Sequence, residues 1–398
     1  MSDRVGPSGV AGASEAGDSS APGVAKASEA SEESGVSEDS AVSEDSGASG
    51  VSGVSRVEGI AVGSVSAWLD AHLDGFGAPY QFDLVAGGRS NLTFVVTDAA
   101  GRRCVLRRPP TSHVLPTAHD MAREFRIIHA LGPTSVPVPP ALGLCTDEAV
   151  NERPFYVMGF VDGHVLRDDA TATAVFTPAE RRAVGFDLVD VLADLHAVDV
   201  DAVGLGDLAR RDAYIERQLK RWYGQYQQSA ALLGRSVPAI DAVHERLGRQ
   251  IPDQGPATIV HGDYRLDNTM VGADARVAAV LDWELCTLGD PLADLGQLLL
   301  NWAEPGDGFV PLGHAPTLAP GFPSRAEARD RYAERSGRDL SRLDFFVAFG
   351  YWKLACILEG VYSRYAGGAM AGDRSGVDAF PAQIEGLARA AEDAAARL

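Results

Sequence analysis

A two-lobed α+β fold, with a small antiparallel sheet and one key helix ahead of a larger, mainly helical lobe, is what this sequence predicts. Three observations carry the expectation. The hydrophobic period changes from two to about 3.6 near residue 163. The 398 residues are 45% hydrophobic, enough to bury a sizeable core. The N-terminal stretch is too polar to join either lobe. The expected organisation is therefore a tail over 1–58, a sheet lobe over 59–162 and a helical lobe over 163–398.

The tail is mostly Ser, Gly, Ala, Val and acids, with an echo in Val36-Ser-Glu-Asp-Ser40 and Val42-Ser-Glu-Asp-Ser46. Such a segment buries too little apolar surface to offset its chain entropy, so a solvated, disordered tail is expected. From about Ser64, a short helix over 68–73 precedes alternating, β-branched strands at 80–85, 92–97 and 103–107. Ala86-Gly-Gly-Arg-Ser-Asn91 reads as a hairpin turn. A helix over 117–131 follows, with Met121, Phe125, Ile128 and Leu131 on one face. Pro137 and Pro139 then end helical structure, and 155–161 gives a further strand.

Beyond Gly163, amphipathic helices are expected at 178–195, 214–227 and 239–250. Two short strands, 258–261 and 277–281, are each followed by acidic residues. The most apolar stretch, Phe345 to Tyr362, is interrupted by Lys353 and Glu359 and reads as a buried helix, not a membrane span.

The formal charge is −20, of which the tail carries −8, so the remainder is acidic too. Nucleic-acid binding, which needs a basic face to neutralise phosphates, is not expected. Four cysteines, Cys104, Cys145, Cys286 and Cys356, form no CxxC pair, which argues against zinc or a disulfide framework. With no basic-then-apolar leader at the start, a reducing cytoplasm fits best, and no membrane partner is expected. The oligomeric state is not legible.

The chemistry concentrates in His261-Gly-Asp-Tyr-Arg-Leu-Asp-Asn268, Val280-Leu-Asp-Trp283 and Leu288-Gly-Asp-Pro-Leu-Ala-Asp-Leu295. A departing γ-phosphate needs little covalent help, but it does need cations to hold its charge and a carboxylate to orient the incoming hydroxyl. Asp263 suits the second task as catalytic base. Asn268, five residues on, offers an amide oxygen to Mg²⁺ without adding negative charge beside the base, and Asp282 offers the hard carboxylate ligand. Arg265 could place its guanidinium on the transferring phosphate. Asp290 and Pro291 read as a helix start. His196 reads as a packed helix histidine.

This ordering resembles the aminoglycoside phosphotransferase family, small-molecule kinases with the protein-kinase-like fold, whose catalytic loop reads H-G-D-x-x-x-x-N. The resemblance covers roughly residue 64 to the C-terminus. It implies ATP and Mg²⁺ as cofactors and a small-molecule hydroxyl as acceptor. Cys104-Val-Leu-Arg107 occupies the place of the kinase Val-Ala-Ile-Lys, so Val105 would touch adenine and Arg107 the phosphates. Arg108, on the opposite face of a strand, is the alternative. Glu124 would pair with Arg107, or else be an ordinary surface helix acid.

By the same resemblance, Gly87, Gly88, Arg89, Ser90 and Asn91 form the loop over the phosphates. Met158 lies behind adenine, and the backbone of Gly159 and Val161 bonds its edge. Asp294 braces the catalytic loop, or else is an exposed helix acid. The runs Ser90-Asn-Leu-Thr-Phe94, Val105-Leu-Arg-Arg-Pro-Pro110 and Ala118-His-Asp-Met-Ala-Arg-Glu124 look most like the branch that accompanies acyl-CoA dehydrogenases. That branch implies a hydroxyacyl-CoA acceptor, ahead of other hydroxylated metabolites and then aminoglycosides. The acceptor is expected from 204–228 and from segments beyond Trp302. There Arg210, Arg211, Arg217, Lys220 and Arg221 outnumber Asp212 and Glu216 and favour an anionic partner. A nucleotide-sensing pseudokinase without transfer is the other class, and the intact Asp263, Asn268 and Asp282 count against it.

Overall fold

A computed structural model describes residues 57–85, 91–111, 120–367 and 377–398. The tail expected over 1–58, apart from its last two residues, lies outside the described residues, as do the loop positions Gly87 to Ser90 and the first three residues of the helix expected at 117.

The first lobe runs α1 (Val62–His72), β1 (Gln81–Leu84), β2 (Leu92–Thr97), β3 (Arg103–Arg108), α2 (Met121–Leu131), β4 (Ala141–Cys145), α3 (Glu148–Asn151) and β5 (Phe155–Gly159). Its five strands form one antiparallel sheet in the order β1-β2-β3-β5-β4. Strand alternation sorts the side chains. Phe94 and Val96 of β2, with Cys104 and Leu106 of β3, are buried in a core shared with Trp68 and Leu69 of α1. Each fully buried large apolar side chain there contributes about 1.5–3 kcal/mol. The residues between them face the other way, so the same register that builds this core turns Val95, Val105 and Arg107 into a cleft.

β4 was not expected. Gly143 and the prolines before it depress strand propensity, yet a Cβ on Gly143 would lie 2.8 Å from the Trp68 ring, so the sheet requires glycine there. The expected strand to residue 161 stops at Gly159.

The second lobe holds α4 (Asp169–Val175), α5 (Pro178–Ala197), α6 (Tyr214–Leu233), α7 (Pro238–Arg249), β6 (Thr258–Val260), β7 (Thr269–Val271), β8 (Val277–Val280), β9 (Thr287–Gly289), α8 (Leu292–Leu300), α9 (Arg325–Ser336), α10 (Leu343–Ala366) and α11 (Phe380–Ala395). Capping boxes start α5 (Thr177 with Glu180) and α9 (Ser324 with Glu327). α6 outruns its expected end by six residues and closes at Gly234 in the left-handed conformation.

α10 forms the centre of this lobe, packed by α6, α8 and α11. It is long and apolar enough to cross a membrane, but most of it is buried inside the lobe, including Phe345, Phe349 and Trp352. The α8–α10 approach is close: a Cβ on Gly296 would sit 2.6 Å from the Phe346 carbonyl. The pairs β6–β9 and β7–β8 pin the two acidic segments of the sequence side by side.

Candidate active site

The catalytic-loop segment leaves β6 at His261, whose ring is buried between two backbone contacts. The Asp263 N–H donates to its Nδ1 (3.2 Å), which leaves Nε2–H to donate to the Leu281 carbonyl at 2.9 Å. Gly262 has φ +87°, and a Cβ there would meet the Leu285 carbonyl at 2.8 Å, so glycine is required. Asp294 is fully buried beneath the loop. It accepts the N–H of His261 at 2.6 Å and of Gly262 at 2.8 Å, with His196 Nε2 at 3.3 Å. Burial pushes its pKa up, but the His196 hydrogen bond, the neighbouring histidines and the Gly262 amide outweigh that and hold the carboxyl below its ordinary range. Asp294 is thus a buried brace and not an exposed helix acid.

The Asp263 carboxylate receives Asn268 Nδ2 at 2.8 Å and Gln297 Nε2 at 3.4 Å. Asn268 Nδ2 also donates to the Asp263 carbonyl at 2.9 Å; both partners are acceptors, which assigns nitrogen to that side and leaves the amide oxygen for a ligand. Arg265 sits 3.4 Å from Asp263 and 2.6 Å from Asp267. Burial works against its charge, but these two carboxylates outweigh it and raise its pKa.

Asp282 follows β8 in the left-handed region at φ 62°. Its carboxylate meets Arg107 at 2.5 Å, and Arg107 lies 3.1 Å from Glu124. Glu124 is buried and also holds the Tyr156 hydroxyl (3.1 Å) and Asn91 Nδ2 (3.4 Å). Burial alone would lower the Arg107 pKa, but Glu124 and Asp282 reverse the direction and keep the guanidinium charged. Strand parity decides between the neighbouring arginines: Arg108 points to the opposite face, donating to the carbonyls of Gly59 and Pro109.

These groups share one cleft of about 900 Å³ between the sheet and the helical lobe. Asn91, Val105, Arg107, Met158, Gly159, Val161, Asp263, Arg265, Asn268 and Asp282 all line it, with Glu124 buried behind Arg107. Ser90 lies outside the described residues. The Gly159 N–H is donated to the Pro140 carbonyl at 2.8 Å.

The family model described as "Phosphotransferase enzyme family", APH, matches residues 82–346. The chain belongs to this family.

A Ralstonia eutropha crystal structure provisionally named as an aminoglycoside phosphotransferase is similar to this phosphotransferase at 34% identity and a TM-score of 0.72, covering 84% of this chain and 98% of that one. Macrolide 2'-phosphotransferase type I shares the fold at 20% identity and a TM-score of 0.54, over 80% of this chain and 95% of its own. Among curated proteins, acyl-CoA dehydrogenase family member 11 of Rattus norvegicus is 37% identical over 80% of this chain and 41% of its own length. Family member 10 of Mus musculus is 36% identical over 74% of this chain and 27% of its own. The phosphotransferase thus spans well under half the length of these relatives, and both the family and the kinase-like two-lobed fold are as the sequence implied.

One expectation about the acceptor end of this phosphotransferase is corrected. The basic residues of 210–221 line no part of the cleft. Arg210 pairs with Asp212 at 2.8 Å, Arg211 with Asp201, and Arg221 lies over the Trp222 ring. Residues of the segments beyond Trp302, among them Leu312, His314, Leu358, Tyr365 and Phe380, do line the cleft. Sequence reasoning also missed three supports. Gln297 stands one helical turn after Asp294, a spacing that could have revealed it. Arg123, beside Glu124, ties α2 to the Cys286 carbonyl at 2.6 Å. Lys353 donates to the Gly262 carbonyl at 2.8 Å, and its only signal was a lone cation in an apolar run.

Among the described residues, no three His, Cys, Asp or Glu side chains converge as a metal site. The donor set of Asn268 and Asp282 suits Mg²⁺, which prefers oxygen and takes remaining ligands from phosphate and water.

Proposed function

We propose that this phosphotransferase moves the γ-phosphate of ATP onto the hydroxyl of a small molecule. The observation that supports this most is the convergence of Asp263, Asn268, Asp282 and Arg107 on one cleft with room for a triphosphate. Asp263 orients the hydroxyl and accepts its proton, held in direction by Asn268 and Gln297. Arg107, anchored by Glu124, binds the α- and β-phosphates, and Arg265 meets the transferring phosphate. Val105 and Met158 pack on the base, and Val161 with the Gly159 carbonyl meets its edge, as Ser90 and Asn91 meet the phosphates. Asn268 and Asp282 would hold Mg²⁺, which neutralises phosphate charge when bound. On this reading 59–162 is the nucleotide lobe and 163–398 the acceptor lobe.

For the acceptor we propose a hydroxyacyl-CoA in a reducing cytoplasm. The names of the curated relatives support it, as do the large apolar and aromatic side chains of Leu358, Tyr365 and Phe380 in the cleft lining. The test combines melting with Mg²⁺-ATP or with ATP and EDTA, and mass spectrometry of reactions with a hydroxyacyl-CoA panel. A Mg²⁺-dependent rise in Tm and a product 80 mass units heavier, about one phosphoryl group, are expected. Asp263→Asn should keep the rise and lose at least ~10²-fold in turnover; Asp282→Ala should lose the rise. Wild-type-like turnover in the first would remove Asp263 from its role. Stabilisation without product from any acceptor would favour a nucleotide sensor.

A further inference from the structure

α10 carries one cation into the interior of the helical lobe. Lys353 is 6% exposed and lies between the catalytic loop and the Trp222 ring, 5.9 Å from its ammonium. A buried charge costs several kcal/mol unless it is compensated, and a methionine would fill the same space without that cost. The compensation lies in the loop. Lys353 Nζ donates to the Gly262 carbonyl at 2.8 Å, and Asp294 on α8 accepts the Gly262 N–H at 2.8 Å. Two oppositely charged side chains, from helices that pack tightly at Gly296, therefore grip the two polar ends of one glycine.

The Gly262 carbonyl belongs to the same peptide plane as the Asp263 N–H, and that N–H is held by His261 Nδ1 at 3.2 Å. Both ends of the plane are tied, which sets the backbone from which the Asp263 side chain departs. Burial lowers the Lys353 pKa, while Asp263 and Asp294 favour its charged form and Arg221 opposes it.

We propose that Lys353 is a positioning residue for phosphoryl transfer, holding the Gly262–Asp263 peptide so that the Asp263 carboxylate points at the acceptor hydroxyl. This rests on the base role proposed for Asp263. A misplacement of the reacting group by about 1 Å costs on the order of 10²-fold in rate, and that sets the expected effect.

The test is Lys353→Met, with Lys353→Arg as the conservative variant, read by amide hydrogen exchange, by Mg²⁺-ATP thermal shift and by steady-state transfer. In the methionine variant, exchange across 261–268 should rise about tenfold or more while α5 stays protected, since the loop loses a tie and the lobe does not. The ATP-induced rise in Tm should persist. With whichever acceptor gives product, kcat should fall about 10²-fold at an ATP KM within about threefold of wild type, and arginine should recover part of it. Unchanged loop exchange, or a kcat within about threefold of wild type, would overturn the proposal. So would a general loss of protection and of Tm with kcat retained, which is what a packing role alone gives. Should wild type yield no product with any acceptor, the transfer reading fails, while the exchange arm still decides whether Lys353 holds the loop. If the methionine variant does not fold, Lys353→Gln, which keeps an N–H on a shorter side chain, takes its place with the same two readouts.

Discussion

Asp294→Asn isolates the brace beneath the catalytic loop. The wild-type carboxylate accepts three buried donors: His261 N–H at 2.6 Å, Gly262 N–H at 2.8 Å and His196 Nε2 at 3.3 Å. An asparagine amide fills the same space but has one acceptor oxygen, so its NH₂ must face a donor and one buried N–H goes unsatisfied, at about 1–3 kcal/mol. The bonds that remain lose their charge assistance, roughly halving each. Relief from burying a charge offsets part of this. The offset is the smaller effect, because the Asp294 pKa lies below its ordinary range despite burial.

A net loss of about 2–4 kcal/mol follows, which at roughly 2.1 cal/mol/K of unfolding entropy per residue lowers Tm by about 3–6 °C for a folded unit of this size. Calorimetry would measure it, with Glu245→Gln on the exposed face of α7 as a control expected to change stability by less than ~0.5 kcal/mol. Because the Asp294 pKa is depressed, its contribution is complete above the ordinary carboxylate value of about 4 and fades as pH falls through the folded value, so variant and wild type should converge in acid. Turnover should fall at least ~10-fold with the Mg²⁺-ATP shift retained. A Tm within about 1 °C of wild type at pH 7 together with full turnover would refute the reasoning.

Glu124→Gln weakens the anchor on Arg107, and since Glu124 is buried against that guanidinium at 3.1 Å, ATP affinity should drop about tenfold, as titration calorimetry would show; unchanged affinity would remove Glu124 from nucleotide binding. The buried His196 supplies a pH dependence: burial lowers its pKa, so the stability of its neutral form is complete above about 6.5 and declines as pH falls below that. The urea midpoint of wild type should drop between pH 7.5 and 5.5 by more than that of His196→Asn, and equal drops would contradict the assignment.

What the sequence made legible was mostly local. The five-residue spacing of Asp263 and Asn268 brings amide and carboxylate within 2.8 Å across a single loop, so their pairing needs little beyond the loop itself. Strand parity likewise separated Arg107 from Arg108 in principle, because alternate residues face opposite sides. The basic run at 210–221 shows the limit. Its composition pointed to an anionic acceptor, yet Arg210 and Arg211 pair with Asp212 and Asp201 and Arg221 lies on Trp222, and none of the three lines the cleft. Charge content carries no direction until the helix is docked.

By itself, then, the sequence determined the order of lobes, the catalytic-loop spacing and the family, since each depends on periodicity or on residues a few positions apart. Only the tertiary structure decided that Asp294 is buried, that the Gly159 amide is taken by Pro140, that Gly143 sits in a strand beneath Trp68, and that Lys353 reaches Gly262 from 91 residues away. The physical reason is that local pattern sets which face of an element is apolar, whereas the partners of its polar atoms come from packing between elements distant in the chain.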